Sequence, residues 1–285
     1  MQTETKIAIF KGNKIRRALY QNEWWFSVVD ITEALTGSVD AGAYWRKLKQ
    51  RLKEEGGEVV TFCHGLKLEA SDGKKYETDC ANTEGIFRII QSIPSPKAEP
   101  FKRWLAKVGY ERVQEIENPE LATKRTRLIY KFKGYSDDWI EKRMRGIAIR
   151  EELTDEWKKR GAKEDKDYEI LTAQISKAAF GVTPSEYKEL KGLKRENLRD
   201  HMDDFELIFT MLGERATTEI HRNENSQGTK KLKSDAQAGG GIAGNARKAL
   251  EKRLKRPIVS HHNYLKEKES QIKLSDKIVK NIDEI

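Results

Sequence analysis

The apolar residues of this chain settle into a helical period at Asn82 and keep it nearly to the end, and that shift constrains its fold more than any other feature. Before residue 82 the apolar positions tend to alternate and are punctuated by turn signals; from Asn82 they recur at helical spacing nearly to the end. Alternation marks half-buried strands, and the longer period marks helices. Thr5–Phe10 alternates, Gly12-Asn13 is a turn signal, Lys14–Tyr20 follows, and Gln21-Asn22-Glu23 leads into the aromatic strand Trp24–Ser27. Val28, Val29, Ile31 and Leu35 then take helical spacing up to Gly37, and a second helix is expected over Ala41–Lys53 with Tyr44, Leu48 and Leu52 on one face. Gly56-Gly57 stops it, and residues 58–80 are expected to hold two or three strands with turns at His64-Gly65 and Asp72-Gly73.

Beyond this point helices dominate. Asn82 or Thr83 can cap a helix carrying Ile86, Phe87, Ile89 and Ile90, which Pro94 and Pro96 end. Phe101, Trp104, Leu105 and Val108 continue on a new helix, and Asn118-Pro119 marks a junction. Further helices are expected after the Ser136 cap, over Tyr168–Phe180, from Thr183-Pro184, and over Leu198–Ile220. Residues 223–245, rich in Gly, Asn, Gln and Ser, are expected to be flexible, and a short basic helix over Asn245–Lys255 would bury Ala246, Ala249, Leu250 and Leu254. The expected fold is α+β, a small N-terminal sheet-and-helix domain (1–118) followed by a mostly α-helical domain (119–256) and a polar, flexible tail (257–285).

The 285 residues are enough to bury a real core, and no apolar run of about 18 residues exists to span a membrane. The first residues lack an apolar signal core and there are only two cysteines, so a cytoplasmic protein without a membrane partner is expected. The formal charge of +9 is unevenly placed: residues 1–120 carry +1, 121–150 carry +6, 151–221 carry −5, 222–256 carry +7 and 257–285 are neutral. Two basic blocks separated by an acidic stretch make a polyanion an admissible partner, beside the plainer reading of two solvated helix faces.

The clusters that could carry chemistry are few. Trp24-Trp25-Phe26 suits either base stacking or the core of a small domain, and Asp30 suits pairing with a helix start. Arg46, Lys47, Lys49 and Arg51 lie within six positions, and Arg46, Lys49 and Lys53 fall on one helix face. That face can contact phosphates or simply meet water beside Glu54-Glu55. The stretch Gly239–Gly244 could form an anion nest or a hinge, but Asn245-Ala246 stands where a P-loop has Lys-Ser/Thr. Cys63-His64 and Cys80 lack zinc-finger spacing. His201 among Asp200, Asp203 and Asp204 could hold Mg²⁺, or the acids could favour a helix N-terminus. No cofactor is expected.

Trp25-Phe26…Asp30-Ile31 together with Thr83–Ser92 and Ala98, Phe101 and Trp104 resembles the N-terminal domain of the BRO and phage-antirepressor family over roughly residues 5–115. The resemblance implies a small sheet with helices that binds DNA. Its Gly85-Ile86-Phe87-Arg88 and Phe101-Lys102-Arg103-Trp104 stations are well placed here. Phe180–Thr183, Tyr187–Leu193 and Asn197–Met202, with Thr217-Thr218-Glu219 and Asn245-Ala246-Arg247, resemble the DNA-damage-inducible protein D family over roughly residues 165–256. That implies a link to the DNA-damage response and to recombinase-filament control, with no defined catalytic site.

The reading is therefore a non-enzymatic DNA-binding regulator of antirepressor type. Its expected DNA contacts are Arg46, Lys47, Lys49, Arg51, Arg88, Lys102 and Arg103. They continue with Lys124, Arg125 and Arg127, joined by Lys131 and Lys133, on a linker helix. Arg247, Lys248, Lys252 and Arg253, with Lys255 and Arg256, lie on the basic helix near the end. DNA is the first expected partner, with a repressor, a recombinase filament or a second copy as further ones. A modulator of a repressor or a recombinase filament is the alternative, and a Mg²⁺-dependent nuclease built on Asp200–Asp204 is a third reading.

Overall fold

The computed structural model describes residues 5–10, 13–54, 63–163 and 165–265. They form two compact units that divide between Ala122 and Thr123. The first is a five-stranded antiparallel sheet with helices. The second is helical, so the α+β expectation holds.

In the first unit, β1 (Thr5–Phe10), β2 (Asn13–Tyr20), β3 (Glu23–Ser27), β4 (Cys63–Glu69) and β5 (Lys75–Ala81) assemble in the order β1-β2-β3-β5-β4. The β2–β3 link is two residues long, Gln21 and Asn22, both at positive φ, as a primed hairpin turn requires. Asp72-Gly73 turns β4 into β5 as expected, with Gly73 at positive φ. His64-Gly65 is no turn; both residues lie inside β4, where His64 opposes Cys80 and Gly65 opposes Asp79. Gly12 and Gly56-Gly57 lie outside the described residues.

Ser27 ends β3 and caps α1 (Val28–Thr36), which Gly37 closes in the left-handed conformation. Then come α2 (Ala41–Glu54), α3 (Thr83–Gln91, capped by Asn82) and α4 (Glu99–Glu117). Ile15, Val28, Ile31, Leu35, Trp45, Leu48, Leu52 and the α3 isoleucines form the core between sheet and helices. A second cluster consists of strand residues alone: Ala18, Trp25, Leu66, Leu68 and Cys80. The aromatic run is thus split by the strand period. Trp25 enters the second cluster, Phe26 packs against the first, and Trp24 is half-buried with the Arg17 guanidinium 4.2 Å from its ring centroid. Trp25 and Phe26 thus serve packing.

Asn118-Pro119 separates α4 from α5 (Glu120–Phe132). The second unit continues with α6 (Asp137–Lys159, capped by Ser136), α7 (Asp165–Phe180), α8 (Pro184–Leu190), α9 (Asp204–Asn223) and α10 (Thr229–Leu254). Leu198 does not start the long helix. Leu198–His201 is a 3-10 turn, and Asp203 caps α9 in a reciprocal box with Glu206.

The largest departure from expectation is the glycine-rich stretch. It is neither hinge nor anion nest but the middle of α10, which packs on α7 and α9. Gly239, Gly240 and Gly244 are buried there. A methyl group on Gly240 would sit 2.5 Å from the Ile175 carbonyl oxygen, and one on Gly239 or Gly244 would collide with Thr217 or with the Ala178 carbonyl. Glycine's helix penalty is about 1 kcal/mol per residue. Close approach of three helices offsets it, because contact atoms are gained all along the seam. The basic helix is therefore the last part of α10, and Ala246, Ala249 and Leu254 on it are exposed, with Leu250 half-buried. Residues 257–265 also depart from a flexible tail. Ile258 is buried, Tyr264 stacks 5.7 Å from Tyr135, and its backbone N–H donates to the His201 carbonyl.

Candidate nucleic-acid interface

Helix α2 presents two unlike faces. Ala41, Trp45, Leu48 and Leu52 point into the core, while Arg46, Lys47, Gln50, Arg51 and Lys53 are exposed. One buried-edge residue fixes its rotation. Asp79 on β5 accepts hydrogen bonds from the Trp45 indole at 2.7 Å and from the Lys49 ammonium at 2.9 Å. Burial opposes ionisation of Asp79, but these two hydrogen bonds and the Lys49 charge together outweigh it, so its pKa lies below the ordinary value. Lys49 is thereby corrected: it is half-buried and joins helix to sheet, instead of sharing the solvent face with Arg46 and Lys53. Position 49 flanks buried Leu48, which brings its stem within reach of β5.

The Arg51 guanidinium donates to the Ser92 carbonyl at 2.7 Å, so the end of α2 meets the end of α3. Arg88 is exposed on the last turn of α3, and its backbone carbonyl accepts the Ser92 hydroxyl. Arg46, Lys47, Arg51 and Lys53 are thus exposed cations on α2, and Arg88 is an exposed cation at the end of α3. Phe87, Phe101 and Trp104, with ring centroids 5.2–5.8 Å apart, join α3 to α4. Beyond them Lys102 is half-buried and Arg103 is exposed, 3.2 Å from Glu99. Asp30 does sit in the first turn of α1, and it also binds the Arg16 backbone N–H and guanidinium at 2.6–2.9 Å.

In the second unit several of the expected contacts are engaged within the fold. Arg247 is buried, donating to the Ala179 carbonyl at 2.8 Å and to Glu251 at 2.6 Å, so it ties α10 to α7 and faces no ligand. Arg127 pairs with Glu141, and Lys131 with Asp137 at 3.1 Å. Lys124, Lys248, Lys252 and Arg253 are exposed, as are Lys255 and Arg256, whereas Arg125 and Lys133 are half-buried.

The carboxylates near His201 are also committed elsewhere. Asp200 accepts from Arg143 at 2.8 Å and from the Tyr130 hydroxyl at 3.1 Å, Asp203 caps α9, and Asp204 pairs with Lys142 at 2.8 Å. Among the described residues no group of three His, Cys, Asp or Glu side chains is placed to hold a metal ion, and no helix is long and apolar enough to cross a membrane. Burial pushes the Cys63 and Cys80 thiols up to about 11 and about 12, which keeps them protonated.

Two further elements escaped the sequence. Asp79 lies 30 or more residues from both its partners, so no local spacing reveals it. The helix seam did leave a signal, since Ala236, Gly240 and Gly244 recur four residues apart. Residues 14–113 match a family model described as "BRO family, N-terminal domain". No curated protein matches the chain.

Proposed function

We propose that this chain, whose first unit carries a BRO family N-terminal domain, is a cytoplasmic DNA-binding regulator of the antirepressor type that acts without catalysis. The observation that carries the reading is the row of exposed cations Arg46, Lys47, Arg51 and Lys53 on a helix that Asp79 holds to the sheet through Trp45 and Lys49. Cations on a fixed helix face meet phosphates without a backbone ordering step at binding. The exposed Lys248, Lys252 and Arg253 on α10 add charge that serves attraction at longer range.

Fluorescence anisotropy of the full chain on duplex and single-stranded DNA, titrated with salt, tests this. Binding weakens steeply with salt, and R46A/K47A/R88A lowers the log–log slope by about 0.9 for each phosphate contact removed. Absence of binding to either DNA at low salt overturns the proposal. Mg²⁺-dependent strand cleavage lost in D203A overturns its non-catalytic part.

A second reading is favoured by Ile208 and Leu212, one turn apart on α9 and both exposed at 37–39%. With the resemblance of residues 165–256 to the DNA-damage-inducible protein D family, it makes the helical unit a contact for a repressor or a recombinase filament in the DNA-damage response. A pull-down in which I208D/L212D recovers the partner as well as the parent chain does would count against it.

A further inference from the structure

Helix α4 has no fully buried residue, although it carries two apolar faces. On one, Phe101, Trp104, Leu105 and Val108 are half-buried, and Phe101 and Trp104 meet the Phe87 ring of α3. On the other, Tyr110, Val113 and Ile116 are exposed at 63%, 55% and 81%. Neighbours on a helix surface lie three and four residues apart, so these three and exposed Ala106 make one apolar stripe in water. We infer that this stripe is the seam of a symmetric dimer, in which α4 packs antiparallel on α4 of a second copy of the chain. The inference does not depend on DNA contact at α2.

Charge selects the second copy as the occupant. Arg103, Ala106, Tyr110, Val113 and Glu117 follow one another at alternating steps of three and four, the spacing of a coiled-coil seam. Arg103 and Glu117 are both exposed and stand seven residues to either side of Tyr110. An antiparallel copy centred on Tyr110 brings Arg103 to the second copy's Glu117, and Glu117 to the second copy's Arg103. A two-fold interface is self-complementary in this way, whereas a parallel copy would oppose like charges. The rest of the helix has the same asymmetry. Residues 99–108 hold three cations and one anion, net +2, and residues 109–117 hold three anions and one cation, net −2. Arg103 does pair with Glu99 at 3.2 Å, but both side chains are exposed and such a pair holds its partners weakly.

Gly109 gives the stripe its shape. It lies beside Tyr110 in mid-helix, where glycine costs about 1 kcal/mol against alanine. A methyl group on it would meet nothing within 4 Å, unlike one on Gly240. The notch it leaves accepts a large side chain from across the seam.

Sedimentation equilibrium of the full chain over about 1–200 μM tests the inference. The parent chain shows a monomer–dimer equilibrium. V113D/I116D stays monomeric throughout, while its melting temperature at the lowest concentration matches the parent's, because both positions are exposed. R103E and E117R each weaken association about tenfold, and R103E/E117R restores most of it. A parent chain that is monomeric at every concentration, as when the stripe is covered by a different protein, overturns the inference. So does V113D/I116D associating as the parent does. Single charge reversals that associate as tightly as the parent, or a double reversal no tighter than the singles, overturn the antiparallel arrangement.

Discussion

At the scale of single residues, polar groups wholly or partly withdrawn from water decide orientation. Asp79 sets the rotation of α2, so removing its charge loosens the helix that carries the basic surface. D79N is expected to destabilise the first unit by about 1–2 kcal/mol, a figure reduced from that of a fully buried charged hydrogen bond because the carboxylate is partly exposed. A shift of the denaturant midpoint at constant slope reads it. His221 plays the comparable part in the second unit. The Trp157 indole donates to its Nε2 at 3.0 Å, which leaves Nδ1–H to donate to Asp235 at 3.1 Å. Burial lowers the pKa of His221 from 6.5, and the pairing with Asp235 only partly opposes this. The unfolded chain therefore binds a proton on this group at a higher pH than the fold does. Its contribution is present above the unfolded value of 6.5 and is lost as pH falls through the lower folded value. Thermal unfolding between neutral pH and about pH 5 should show this loss, and H221Q should flatten it.

At the scale of elements, α10 shows how one residue type can carry opposite meanings at adjacent positions. Gly240 lies against the α7 backbone, whereas a methyl group on Gly241 would meet nothing within 4 Å. G240A is expected to lower stability by about 1–3 kcal/mol through overpacking. G241A is expected to raise it by roughly 0.5–1 kcal/mol through helix propensity alone. Chemical denaturation of the two variants measures both signs, and equal effects would contradict the seam. The elements whose caps are written locally were legible beforehand: Ser136, Asn82 and Thr183 each start the helix that follows them. The start of α9 was not, because Leu198 continues the apolar spacing while the Asp203–Glu206 box breaks the helix five residues later.

At the scale of the molecule, charge and family match lie in different units. Residues 1–120 carry a net +1, yet residues 14–113 are the part that matches the BRO family domain. On the proposed DNA-binding reading, the first unit would act through its local cations on α2, and the second would supply long-range attraction. Charge reversal at K248E/K252E/R253E should slow association with DNA and reduce its salt dependence, with dissociation changing less. Stopped-flow kinetics at several salt concentrations separates the two rates, and an unchanged association rate would confine binding to the first unit.

The sequence by itself determined the α+β class, the N-terminal strands and helices, and the buried face of α2 at Leu48 and Leu52, since these follow from period and capping within a few residues of chain. Only the tertiary structure decided that Lys49 and Arg247 are held inside the fold, that the glycine stretch is a packed helix, and that the segment after Pro257 returns to the second unit. Each of these depends on a partner far away in sequence. A charge's role is set by what lies across from it, and a glycine's by how closely another backbone approaches.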